Sequence, residues 1–318
     1  MNLPAAMSDP PRRGDVSLVL GSGGARGYAH VGVIEELRAQ GYGIRSVAGS
    51  SMGALVGGVY AAGKLTEYRE WACGLRTFDV LRLVDWSWRG GGLIKGQRVI
   101  GALRDLVGDT NIEDLPISYT AVAVDIDAQR EVWFSRGSLF DAIRASISIP
   151  TVFRPHTYQG RRLVDGGLLN PVPVTPTLRD LTDATIAVDV NAEAEGVAER
   201  ETPITRPEIH DTGESNDKTG FGRLGALWER FLESRSKRVT IQEPGVLDLF
   251  ARSLDVVQET LTRYKLAAQP PDLVISIPRN VCAFYEFQRA AEVIEIGRQR
   301  TREALMRWQR VKRPAAWP

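Results

Sequence analysis

Two glycine-bracketed stretches carry residue types that could do chemistry together. Residues 49–53 read Gly-Ser-Ser-Met-Gly, the G-x-S-x-G spacing in which a sharp strand-to-helix turn presents a serine hydroxyl as a nucleophile. With 31 glycines in the chain, one such pentapeptide is a weak sign, and Ser51 is equally an ordinary turn serine. Residues 21–27, Gly-Ser-Gly-Gly-Ala-Arg-Gly, form the second stretch. A glycine-rich loop leading into a helix offers backbone N–H groups to an anion. A dinucleotide fingerprint needs its third glycine where Arg26 stands, and the second strand ends without the acid that binds ribose. A P-loop needs a terminal Lys-Ser/Thr, which is absent. The third use is an oxyanion hole, with the amides of Gly23, Gly24 and Ala25 on an acyl carbonyl that gathers charge. The loop alone leaves the nucleotide and oxyanion readings level.

The elements around Ser51 separate them. Val16 to Leu20 is a short apolar run that reads as a buried strand. A helix follows, with Val31, Ile34 and Leu37 at helical spacing and Gly41 as its stop. Residues 44–49 read as the second strand, and Met52 to Ala62 as a buried helix of small residues. This order implies parallel strands with right-handed crossovers. Both glycine stretches then lie at the carboxyl edge of one sheet, where open α/β sheets place their sites.

A serine hydroxyl still needs a base. His30 falls in the first helix, where packing is its expected role; His156 falls in a hairpin, Arg-Pro-His-Thr-Tyr-Gln-Gly-Arg-Arg; His210 falls in a polar stretch. The order Ser51, Asp165, His210 matches an α/β-hydrolase triad, although that fold places several strands before its nucleophile and here one βα unit precedes it. Asp165, at the end of an apolar strand and before two glycines, is the other base candidate; Asp-Gly is also a plain turn.

The whole chain sets the limits. Its 318 residues suffice for a large core, and 43% hydrophobic residues with a formal net charge of +1 fit a globular protein and argue against nucleic acid as a partner. Cys73 and Cys282 fit no metal spacing and are expected as buried free thiols; the carboxylates show no calcium-loop spacing. No apolar leader or membrane-length run is visible, so a cytoplasmic location, with peripheral membrane contact, is the expectation. Residues 1–13 are expected as a disordered tail, and 14–318 as one domain. Within it lie a polar flap at about 191–243 and a C-terminal strand with helices at 244–318. Later strand candidates are residues 119–126, 131–135, 184–190 and 273–278. In the flap, Phe221, Leu224, Trp228, Phe231 and Leu232 share one helical face that could meet a membrane. Trp86 to Gly92 and the basic C-terminal helix are second candidates for such contact.

Four stretches together carry a resemblance: LGSGGARGYAHVGVIEEL, GSSMG, IRASISIPTVFRPH and VDGGLLNPVPV. In this order they resemble a patatin-like phospholipase domain over roughly residues 14 to 190, most closely its bacterial and neuropathy-target-esterase branch. The resemblance implies a three-layer α/β/α sandwich with a mostly parallel central sheet. It implies a lipid acyl-ester hydrolase of phospholipase A or lysophospholipase type, acting on lipid or lysolipid esters without metal or cofactor. It also implies a Ser51–Asp165 dyad without histidine, with Gly23, Gly24, Ala25 and Arg26 in the oxyanion loop. Arg26 is expected to steady that loop rather than to meet a phosphate. Ser22 stands where many members have glycine, and Gly167 where plant patatins have alanine. A transacylase with the same dyad, a Ser-His-Asp esterase using His210 and a silent lipid-binding module are the alternatives.

Overall fold

The computed structural model describes residues 12–75, 97–150, 152–196 and 246–312. The expected N-terminal tail up to residue 11, most of the polar flap with its helical face at 221–232, His210, and Trp86 to Gly92 lie outside the described residues. The chain divides into two compact units, Met1–Glu195 with Phe250–Pro318, and Gly196–Leu249. Both glycine stretches and the whole sheet belong to the first unit.

In chain order the elements are β1 (Gly14–Leu20), α1 (Ala29–Ala39), β2 (Tyr42–Ser50), α2 (Met52–Ala61), α3 (Leu65–Gly74), α4 (Gln97–Val107), β3 (Ser118–Asp125), β4 (Arg130–Phe134), α5 (Leu139–Ser146), β5 (His156–Tyr158), β6 (Arg161–Asp165), β7 (Ala184–Ala192), α6 (Val246–Ala268), β8 (Leu273–Pro278) and α7 (Ala290–Lys312). All eight strands share one sheet, ordered β5-β6-β3-β2-β1-β7-β8, with β4 also on β3. The pairs β1/β2, β2/β3, β1/β7 and β7/β8 are parallel, as the βα order requires. The pairs β3/β4, β3/β6 and β5/β6 are antiparallel, so the sheet is mixed and not purely parallel. Short turns impose β3/β4 and β5/β6. Gln129 and the Gln159-Gly160 pair adopt positive φ and return the chain at once, leaving no room for a crossover.

Side chains alternate across β1. Leu18 and Leu20 enter the main core with α1, α2, α5 and α7, while Val19 joins Val172, Val174 and Ala187 on the other face, against Leu266 of α6. Cys282 is buried, whereas Cys73 is exposed near the end of α3, against expectation; both are free thiols. Among the described residues no helix is long and apolar enough to cross a membrane.

One feature of register positions the site. Along β3, residues 121–125 pair with β4 on one edge. On the other edge β2 runs up to Ser50 opposite Val122, and β6 runs down to Asp165 opposite Ala123. The parallel and the antiparallel neighbour therefore meet head-on at consecutive positions of a single strand.

Candidate active site

Ser51 occupies the turn between β2 and α2 with φ 54° and ψ −124°, a conformation that a residue bearing a Cβ adopts only where its surroundings enforce it. Those surroundings are backbone. A Cβ on Gly53 would stand 2.0 Å from the Leu20 carbonyl oxygen, and one on Gly49 would stand 2.5 Å from the Ala54 nitrogen. Both flanking glycines are thus required by close approach: α2 begins hard against the ends of β1 and β2. The Ser51 amide donates to Ser146 Oγ at 2.9 Å, and that hydroxyl donates to the Val122 carbonyl at 2.6 Å. Ser146, at the end of α5, is a site residue that the sequence did not single out; its separation of 95 residues from Ser51 hides the contact.

The Ser51 hydroxyl donates to Asp165 Oδ2 at 2.5 Å. The other carboxylate oxygen accepts the Gly167 amide at 2.8 Å, so Asp165 is held at both oxygens. Asp165 is 3% exposed, and burial pushes its carboxyl up to about 7, against the opposing pull of the Ser51 and Gly167 hydrogen bonds. Neither described histidine takes part. His30 is fully buried, held neutral with its pKa lowered to about 4, and its Nε2 bonds the Gly21 carbonyl at 2.8 Å. His156 Nε2 bonds Asp141 Oδ1 at 3.1 Å on the β5–β6 hairpin side. Burial, then the Arg144 charge, hold it below the usual imidazole value.

The loop after β1 tightens into a single 3₁₀ turn, Gly24–Tyr28. Two amides of this loop have acceptors within the chain. The Ala25 amide donates to the Phe284 carbonyl at 2.9 Å, and the Arg26 amide donates to the Gly23 carbonyl at 3.2 Å. An amide already satisfied by the chain has no hydrogen left for a ligand. The Gly23 and Gly24 amides have no partner among the described residues, and neither does that of Met52, whose place at the start of α2 leaves it outside the helical ladder. Arg26 is buried, bonds Gly23 and Asp255, and lies 6.0 Å from the centre of the Phe284 ring.

Ser22 and Gly167 fit against each other. A Cβ on Gly167 would fall 2.8 Å from both Cβ and Oγ of Ser22 and 2.6 Å from Gln258 Nε2. The Ser22 hydroxyl fills that space and donates to Gln258 Oε1 at 3.0 Å. Among the described residues no three His, Cys, Asp or Glu side chains stand together as metal ligands.

An α/β protein whose strand ends bring a serine hydroxyl onto a buried carboxylate is the class that fold and geometry define. A family model described as patatin-like phospholipase matches residues 18–178. An NTE family protein of Mycobacterium bovis is 41% identical, the match covering 96% of this chain and 95% of that protein. A lysophospholipase of Debaryomyces hansenii is 29% identical over 92% of this chain, which spans 18% of its length. A patatin-like phospholipase domain-containing protein of Caenorhabditis elegans is 35% identical over 56% of this chain and 14% of its own length. The chain belongs to the patatin-like phospholipase family, in its NTE-like branch.

Proposed function

We propose that this protein hydrolyses lipid acyl esters, as a phospholipase A or lysophospholipase, through a Ser51–Asp165 dyad and an acyl-enzyme. The observation that carries this reading is the 2.5 Å hydrogen bond from the Ser51 hydroxyl to Asp165, made with no described histidine at either residue. Ionised Asp165 takes the hydroxyl proton as Oγ attacks the acyl carbonyl carbon. The carbonyl oxygen becomes an oxyanion facing the Gly23 and Gly24 amides, with the positive end of α2 behind Ser51. Protonated Asp165 then gives its proton to the leaving alcohol oxygen. In the second half, water loses a proton to Asp165 and attacks the acyl carbon; the acyl–Oγ bond breaks, the acid leaves, and Asp165 returns the proton to Ser51 Oγ. The name of the Debaryomyces hansenii relative supports a lysolipid among the substrates.

A carboxyl near 7 suits a base that must accept and return one proton at neutral pH. Only the ionised form can accept, so kcat/KM on a soluble ester should climb about tenfold per pH unit below the pKa and level off above it. The expected midpoint is about 7. A limb centred near 4, the ordinary carboxylate value, would mean that burial does not raise the Asp165 carboxyl.

The test of the reading is covalent. A fluorophosphonate should add one adduct by intact mass, at Ser51, and none to Ser51→Ala. An adduct that persists in Ser51→Ala sinks the assignment.

A further inference from the structure

Arg26 lies in the loop beside Ser51, yet it is only 3% exposed and its charge is spent inside the protein. Nε donates to the Gly23 carbonyl at 3.3 Å, Nη1 to the Arg279 carbonyl at 3.4 Å, and Nη2 to Asp255 Oδ1 at 2.6 Å. Asp255 belongs to α6, 229 residues further along the chain. Gln258, three residues on and on the same helical face, bonds Ser22 at the start of the loop. One helix therefore grips the loop at both ends.

The grip matters because of what it orients. The Gly23 carbonyl accepts two bonds, from the Arg26 side chain and from the Arg26 amide. A trans peptide is a rigid plane whose C=O and following N–H point in opposite directions. Fixing the Gly23 oxygen on one side therefore aims the Gly24 N–H to the other. That peptide joins two glycines, with Gly24 at φ +56°, so it has no side chain of its own to oppose rotation and is held by the Arg26 amide and the Arg26 side chain together.

We propose that Asp255 is a positioning residue: by holding the Arg26 guanidinium against the Gly23 carbonyl, it fixes the Gly24 amide where the acyl oxygen gathers charge. This role rests on the Ser51–Asp165 reading. Asp255 touches no reacting atom, so it acts on the transition state while leaving ground-state binding of the ester alone.

The experiment uses the full chain with Asp255→Ala, Asp255→Asn and Asp255→Glu. It measures kcat and KM on a soluble ester, inhibition by a trifluoromethyl ketone with the same acyl chain, and melting temperature. The ketone forms an adduct with Ser51 that carries an oxyanion, so it reads the amides directly. Loss of an oxyanion donor costs about 10²–10³ in rate, and loosening one should cost about 10–100-fold. The expected result is that loss in kcat for Asp255→Ala and Asp255→Asn, with KM within about threefold of the parent. Ketone inhibition should weaken by the same factor, melting should fall in both because Arg26 keeps its buried charge without a carboxylate, and Asp255→Glu should recover most of the rate and of the melting temperature. Should the alanine variant fail to fold, the isosteric asparagine variant carries the test. Unchanged kcat overturns the proposal. So does a rise in KM as large as the loss in kcat with no recovery in Asp255→Glu. Ser51→Ala in parallel separates the two levels: if it is inactive while the Asp255 variants match the parent, only the positioning role falls. If Ser51→Ala is active, the dyad falls and the positioning role with it.

Discussion

Ser51→Ala and Asp165→Asn are each expected to lower turnover by about 10³-fold or more, because a nucleophile and its base act as a unit and removing either removes the step. His30→Gln, His156→Ala and His210→Ala should stay within about tenfold of the parent. The measurement is kcat/KM on a soluble ester with circular dichroism as a check on folding. A folded but inactive His210→Ala variant would restore the triad. Asp165→Asn carries a second signature. Asparagine keeps an acceptor for the Gly167 amide and needs no charge in the buried site. With the folded carboxyl raised from 3.8 to about 7, the native state holds a proton that the unfolded chain has released throughout that window. Stability is therefore intact below about pH 4 and declines as pH rises through 7. The cost at pH 8 is at most about 4 kcal/mol. Asp165→Asn should accordingly melt higher than the parent at pH 8 and at nearly the same temperature at pH 4. Equal melting at both would show that burial of this carboxylate costs the fold nothing.

Gly53→Ala is the second large effect. The added Cβ would stand 2.0 Å from the Leu20 oxygen and 2.5 Å from its carbonyl carbon. Both are backbone atoms of a central strand end, so no rotamer can relieve the contact. The first turn of α2 must move away, taking the Ser51 elbow with it. Displacement of about 1 Å at a reacting group costs about 10²-fold. We expect kcat/KM to fall by at least about that factor and stability by about 1–3 kcal/mol. Gly101→Ala, where nothing lies within 4 Å inside α4, is the matched control and should gain about 0.5–1 kcal/mol with unchanged activity. Equal behaviour of the two variants would show that the elbow does not depend on Gly53.

The parts of the site that can be read from sequence are those set by local periodicity. The apolar run at 16–20, the helix signals after it and the Gly-Ser-Ser-Met-Gly turn place Ser51 and the loop at one sheet edge, and β1, β2 and α2 lie within two residues of their expected bounds. Antiparallel β6 is harder to read. Its hairpin is visible in Gln159-Gly160, but nothing local tells which strand the hairpin joins or in what register. The loop's hydrogen bonding is hidden from the sequence for the same reason. That the Ala25 amide is taken depends on the Phe284 carbonyl, whose chain position gives no hint that it crosses the loop. Ser146, Gln258 and Asp255 are polar residues on helices, and each would pass for a solvated one until the fold supplies its partner.

The meeting of β2 and β6 along β3 has a consequence for how such a protein can vary. Ser51 and Asp165 are 114 residues apart, yet of the chain between them it is the short strand β3 that indexes both. Each is indexed to β3 by its own ladder, one ending at Val122 and the other at Ala123. Segments that leave and return between these ladders can lengthen or shorten without being felt at the dyad. A one-residue slip of β6 would not simply lengthen the gap; it would turn Asp165 to the opposite face of the sheet. The dyad is thus tolerant of added length and intolerant of shifted phase, as a vernier is.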